Sequence, residues 1–331
     1  MPSDLTAGIE FNQDKLEDNM WGYHRTVDQK VNIGSAFFQN EWKNEHWGFL
    51  IGGRLDKHNL IDHVIFSPRA NLRYNPTENI NLRFSYSSGF RAPQAFDEDL
   101  HVENVGGNVA MVELADNLKE ERSQSLSASA DIYHRFGAFQ VNFLVEGFYT
   151  KLSDVFALTD GEVVDGILTR TRYNAPGARV MGLTLEGKMA YLTKFQVQAG
   201  VTLQQSHYSE PHVWNKEAPA VKKMMRTPNT YGYFTATYTP IKPLSIALSG
   251  TYTGSMLVPH EPVPGFLEKP ITVNTKDFFD IGLKAAYDFK LYKSMNLQVN
   301  AGVQNIFNAY QNDFDKGADR DSGYILSLIH I

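Results

Sequence analysis

The sequence predicts an all-β chain, and within that class a transmembrane antiparallel β-barrel. Three observations carry the expectation. Polar and apolar residues alternate with a period of two along most of the chain, which puts them on opposite faces of extended strands. Many of these segments run to ~10–14 residues, long against the ~5–6 of a soluble strand and sufficient for the ~9–11 that cross a bilayer at a tilt. Short and long connections alternate, as tight periplasmic turns and long outer loops do in a membrane barrel.

In chain order, strands are expected near 5–12, 32–43, 46–56, 66–74, 79–88, 123–136, 138–151, 178–192, 194–208, 229–239, 243–254, 276–289 and 294–304. The clearest is the fifth, where Ile80, Leu82, Phe84 and Tyr86 oppose Asn81, Arg83, Ser85 and Ser87. Leu183, Leu185, Met189 and Tyr191 oppose Thr184, Glu186 and Lys188, and Phe195 through Leu203 alternate with Gln196 through Gln204. The same pattern marks 244–252, 281–288 and 297–304. Short turns are expected at Asn44-Glu45, Asn75–Glu78, Gly137, Thr193 and Ile241-Lys242, and long connections at 13–31, 57–65, 89–122, 152–177, 209–228 and 255–275. Thirteen strands is an odd number, whereas bacterial single-chain barrels have an even one. A returning strand is therefore expected after 304, approached through Ser322-Gly323-Tyr324-Ile325, with 326–331 read as a truncation scar.

Composition narrows the function classes. Hydrophobic residues make up 42% of the 331 and mean hydropathy is −0.34, with no apolar run that suits a membrane helix; a barrel hides its apolar face in every second residue. Aromatic residues reach 12%, including 16 Tyr and 21 Phe, enough for interfacial girdles. A net charge of −6 argues against nucleic acid as a partner. The lack of cysteine removes disulfides and thiolate metal sites. Met1-Pro2-Ser3-Asp4 does not open a signal peptide.

A family resemblance appears at Leu82-Arg83-Phe84-Ser85-Tyr86 followed by Gly89-Phe90-Arg91-Ala92-Pro93, which resembles the signature of TonB-dependent outer-membrane receptors. Glu121-Arg122-Ser123, Phe148-Tyr149-Thr150, Asn174-Ala175 with Gly182-Leu183-Thr184-Leu185-Glu186, and Asn305-Ile306-Phe307-Asn308 are similar to further family elements in the family's order, over roughly residues 5–325. Thr184 stands where Glu is commoner. The resemblance implies a barrel of ~22 strands with a plugged lumen, of which this chain would be the carboxy-terminal portion. The plug and TonB box would lie upstream. It also implies a Gram-negative outer membrane, lipid as surroundings, TonB as energy-coupling partner, and a ferric siderophore as cargo, with haem, cobalamin or oligosaccharide behind it.

Candidate sites follow from residue types. Gly89, Phe90, Arg91, Ala92 and Pro93 are read as turn-forming, with Gly89 in a backbone shape other residues resist and Pro93 ending the ladder. Haem receptors carry a similar box, but there Asn-Pro-Asn-Leu typically follows, whereas Gln94-Ala95-Phe96-Asp97 stands here. Gly182, Asn305, Phe307 and Asn308 are likewise read as structural family positions. The acidic runs at Asp97–Glu103 and at Asp313, Asp315, Asp319 and Asp321 are read as solvated loops, and His260-Glu261 lacks a third ligand nearby in sequence. Trp21, Tyr23, Tyr208 and Trp214 are the candidate ligand contacts, since planar aromatic faces in outer loops can stack on a siderophore or a sugar. No nucleophile with its base, phosphate loop or dinucleotide fingerprint is present, so neither catalysis nor a cofactor is expected. A soluble all-β binding protein and a passive porin-like channel are the competing readings.

Overall fold

The computed structural model describes residues 2–23, 25–95, 103–105, 108–260, 262, 267–292 and 294–309. Thirteen strands form one continuous antiparallel sheet: β1 (Ser3–Met20), β2 (Arg25–Lys43), β3 (Trp47–His58), β4 (Val64–Thr77), β5 (Ile80–Arg91), β8 (Glu121–Phe136), β9 (Phe139–Ser153), β12 (Ala178–Tyr191), β13 (Phe195–His212), β15 (Thr230–Ile241), β16 (Leu244–Thr253), β19 (Phe278–Tyr292) and β20 (Met295–Val303), adjacent in that order. Each coincides with one of the thirteen expected from alternation. No helix among the described residues is long and apolar enough to cross a membrane.

Seven further strands fall inside segments expected to be connections. β6 (Glu103–Val105) and β7 (Asn108–Leu114) lie between β5 and β8, and β10 (Val155–Val164) and β11 (Ile167–Ala175) between β9 and β12. These four make a second sheet in the order β10-β11-β7-β6. β14 (Val221–Lys223) pairs with β13, while β17 (Leu257–His260) and β18 (Ile271–Asn274) form a separate hairpin. β1 and β2 also run well past their expected ends. The segment 13–31 is mostly ladder, closed by a 3-10 turn at Trp21–Tyr23. Lys15 pairs with Lys30 and Glu17 with Asp28 there. The opposite face, half-buried and ending at the buried Val31, mixes Leu16 and Val27 with Asp18, Arg25 and Gln29, so the ladder keeps its hydrogen bonds but loses the apolar alternation that reveals a strand in sequence.

Register fixes the two faces of the wall. Phe84, Leu126, Leu183, Leu203, Leu248 and Leu283 lie on one face and are exposed, as lipid contact requires. Phe136, Phe139, Tyr191, Phe195 and Tyr238 pair across five successive strands at the short-turn end, forming an aromatic band on that face. Phe139 and Tyr191 touch at 4.6 Å between centroids, and Trp47 stacks on Tyr74 at 4.2 Å nearby. The opposite face is polar, with Tyr233 donating to Glu186 and accepting from Gln198.

The residues 310–331 lie outside the described residues. The expected return strand near Ser322–Ile325, the segment 326–331 and the acidic group Asp313, Asp315, Asp319 and Asp321 therefore fall outside the description.

Candidate ligand-binding site at the outer end

The long connections gather at one end of the wall, held together by side-chain hydrogen bonds and by a second, smaller sheet. β5 leaves the sheet at Arg91, whose last ladder partner is Glu121. Ala92, only 8% exposed, joins Ile61 and Ile65 in a small core against which Phe90 packs. Beyond Pro93, the Gln29 side chain grips residue 95 at both ends, accepting from Ala95 N–H at 2.9 Å and donating to its carbonyl at 3.3 Å. His58, fully buried, accepts the Leu60 N–H on Nδ1 at 3.0 Å and meets Gln94 Oε1 with Nε2 at 3.2 Å. That pattern fits a neutral ring carrying its proton on Nε2. Burial pushes its pKa down, and the Gln94 hydrogen bond opposes this in part.

The second sheet couples two connections distant in sequence. β11 runs parallel to β7, from Ile167 opposite Val109 to Arg172 opposite Leu114. The β10–β11 hairpin turns at Asp165-Gly166, both with positive φ (52° and 77°), the two-residue turn that matches strand twist. Asn174 accepts Lys119 N–H at 2.7 Å and donates to the carbonyls of Lys119 and Asp154. Glu121 accepts Phe156 N–H at 2.8 Å. The guanidinium groups of Arg91 and Arg172 both lie over the Phe156 ring, at 5.7 and 5.9 Å from its centroid, a cation–π distance. Arg172 is 7% exposed. Two guanidinium groups from different connections thus converge on one aromatic ring at the mouth of the wall. Close by, Arg122 donates to Glu120 at 2.8 and 2.9 Å and to His63 Nε2 at 2.9 Å. Burial raises the Glu120 carboxyl, but hydrogen bonds from Arg122 and its charge outweigh this and hold it below the usual carboxylate range.

The chain matches the family described as TonB dependent receptor-like, beta-barrel over residues 2–306. It belongs to that family. Such barrels are outer-membrane proteins of Gram-negative bacteria, and the family is one of transport receptors. Comparison with curated protein sequences finds no match. Among solved structures, the siderophore receptor PirA from Acinetobacter baumannii is similar at 17% identity and TM-score 0.64, covering 93% of this chain and 48% of that one. A variant of the ferric enterobactin receptor PfeA from Pseudomonas aeruginosa, in complex with enterobactin, is similar at 19% and 0.67, covering 93% and 47%. The FrpB iron transporter from Neisseria meningitidis is similar at 17% and 0.66, covering 93% and 49%. These likenesses show the fold. The chain spans about half the length of these structures.

In the receptor barrel the family-motif residues occupy distinct places. Gly89 pairs with Ser123 inside β5, and its φ is not positive, contrary to the expected special backbone. A Cβ there would sit 3.2 Å from Ser123 Oγ, a close approach that a small rotation of that hydroxyl relieves. Pro93 follows the last ladder pair, as expected of a residue that cannot donate. Asn305 and Asn308 both take left-handed φ (47° and 49°) in the turn after β20, which asparagine tolerates better than most residues. The Asn305 side chain holds Ala309 at both its N–H and its carbonyl, while Phe307 is exposed.

The four candidate aromatics do not form one cluster. Trp21 is 82% exposed at the tip of the β1–β2 hairpin. Tyr23 ends the same 3-10 turn, and its side chain lies outside the description. Tyr208 lies on the outer extension of β13 against His212, with ring centroids 4.9 Å apart. Burial lowers the pKa of His212. Trp214, half-buried, follows on the same connection, and its indole N–H has no hydrogen-bond partner among the described residues. Sequence reasoning passed over Arg172, Phe156 and the coupling function of Asn174. Only the Asp165-Gly166 hairpin signal could have pointed toward the sheet that holds them. His260 is fully buried on β17, while Glu261 and the run Asp97–Val102 lie outside the described residues. Among the described residues no group of three or more His, Asp or Glu is placed to hold a metal ion.

Proposed function

We propose that this receptor captures a ferric siderophore at the outer end of its barrel and passes it inward with TonB-coupled energy. The single observation that carries the reading is the convergence of Arg91 and Arg172 on Phe156. Ferric siderophore complexes present anionic or strongly polar oxygens on a rigid, partly aromatic body. Guanidinium groups held over a ring offer charge and stacking together. The buried, unpartnered N–H of Trp214 adds a donor on a neighbouring connection. The siderophore and iron receptors among the similar folds support this cargo class over haem, cobalamin or oligosaccharide. TonB itself would act through the receptor's plug region.

The test is uptake of radiolabelled iron by iron-starved cells whose other siderophore receptors are deleted. Uptake that needs both this receptor and TonB supports the reading. Iron uptake unchanged by its deletion, with vitamin B12 or oligosaccharide uptake lost instead, overturns it.

A further inference from the structure

The lipid-facing side carries a feature that cargo capture does not use. Lys151 on β9, Arg179 on β12 and His207 on β13 are ladder partners in one row, and Lys223 on β14 pairs with His207 at the end of it. The row lies on the same face as exposed Tyr149, Met181, Leu183 and Leu203. Lys151 directly opposes Arg179, an arrangement that destabilises a sheet unless something neutralises it. Arg122, near the outer edge of the same face, is matched by Glu120. Among the described residues no ion pair joins a carboxylate to Lys151, Arg179, His207 or Lys223.

The height of the row is informative. Twelve residues separate Phe139 from Lys151, Tyr191 from Arg179 and Phe195 from His207. At ~3.3 Å per residue and a tilt of ~40–45°, this is about 28–30 Å, close to the ~25 Å apolar band of a barrel and the ~30 Å core of a bilayer. The aromatic band marks the inner interface, so the basic row sits at the outer headgroup level. Immediately beneath it opens an apolar groove of about 800 Å³ between Leu126, Tyr149, Met181 and Leu203. Gly147, one of its lining residues, would meet nothing within 4 Å if it carried a Cβ.

We propose that this strip binds a phosphorylated lipid of the outer leaflet, of the lipid A class, with phosphates on the basic row and an acyl chain in the groove. Four adjacent strands at ~4.8 Å spacing place Lys151 and Lys223 about 14 Å apart. That span suits two phosphates separated by a disaccharide better than one phosphate on glycerol. The groove directly below supplies what a free anion would not need.

The test uses the receptor purified from outer membranes and placed in phosphatidylcholine nanodiscs doped with lipid A or, separately, phosphatidylglycerol. Native mass spectrometry reads the lipid retained. Lipid A should be held preferentially, and inorganic phosphate should not displace it. The double change Lys151→Gln with Arg179→Gln should weaken retention about tenfold or more, since each removes a cation from the lipid surface. Gly147→Leu should lower it by filling the groove with the charges intact. Lys223→Gln, outside the wall proper, serves if the double variant loses its heat-modifiable mobility. Equal retention of the two lipids, displacement by phosphate alone, or retention unchanged in the folded variants overturns the proposal.

Discussion

Asn174 and Lys119, 55 residues apart in sequence, are joined by a reciprocal pair of hydrogen bonds: Lys119 N–H donates to Asn174 Oδ1 at 2.7 Å, and Asn174 Nδ2 donates back to the Lys119 carbonyl at 3.0 Å. A third bond from Nδ2 reaches the Asp154 carbonyl at 2.8 Å. One amide thus ties the β5–β8 connection to the β9–β12 connection, at the base of the sheet that carries Arg172. Asn174→Ala should remove about 2 kcal/mol of local stability, at ~0.5–1.5 kcal/mol per bond. Limited proteolysis should then cut within 108–120 or 154–175 much faster than in the parent, while heat-modifiable mobility of the barrel stays unchanged. Asn174→Asp should recover little, since a carboxylate accepts from Lys119 N–H but cannot donate to either carbonyl.

The wall was legible in the sequence because lipid on one side and water on the other force a period of two. Leu183 against Thr184 and Phe84 against Ser85 record that contrast residue by residue. Above the membrane the contrast disappears. The Lys15–Lys30 and Glu17–Asp28 pairs belong to a ladder as regular as any in the wall, yet its half-buried face mixes Leu16, Val27 and the buried Val31 with Asp18, Arg25 and Gln29, so the apolar alternation is diluted. The site was less legible still. Arg91 stood in the family motif, but its meeting with Arg172 over Phe156 depends on a parallel pairing of β7 with β11, a contact between two connections that local sequence does not encode. The basic row was hidden for a related reason: Lys151, Arg179 and His207 are 28 residues apart at each step and meet only through register.

Arg172→Ala should weaken binding of a ferric siderophore to whole cells about tenfold, the scale of a lost cation–π contact together with a charged hydrogen bond. Arg172→Lys is the informative companion. It keeps the charge but loses the planar fork over Phe156, so it should recover only part of the affinity. Equilibrium binding of labelled ligand, at matched surface expression, separates the three proteins. Full recovery by lysine would mean that Phe156 stacking contributes nothing.

His58 gives the outer end a dependence on pH. Its folded pKa lies below the ordinary value of ~6.5 because the ring is buried, with Gln94 opposing this in part. The unfolded chain therefore takes up the proton first. The stability that His58 contributes is fully present above pH ~6.5 and is lost as pH falls through the depressed folded value. Protonating Nδ1 would also set two N–H groups, its own and that of Leu60, against each other. Proteolysis of the 59–63 connection should accelerate between about pH 7 and pH 5. A His58→Leu variant should be cut at a rate that varies much less over that interval.

Gly182 tests whether the family's glycine in this strand is a matter of space or of backbone freedom. Its φ is not among the positive ones, so conformational freedom is not the reason. A Cβ at that position would approach the Leu203 carbonyl oxygen to 2.5 Å and the tip of the Phe148 ring to 2.6 Å. The ring can rotate away, but the carbonyl belongs to the β12–β13 ladder, where Gly182 pairs with Gln204. Gly182→Ala should therefore displace backbone rather than only a side chain, at a cost of about 1–3 kcal/mol. The expected signature is a lower urea midpoint for loss of heat-modifiable mobility. Adding Phe148→Ala to Gly182→Ala should restore little of it, because the closer clash is with the carbonyl. Near-complete rescue by the second change would assign the glycine to ring packing instead.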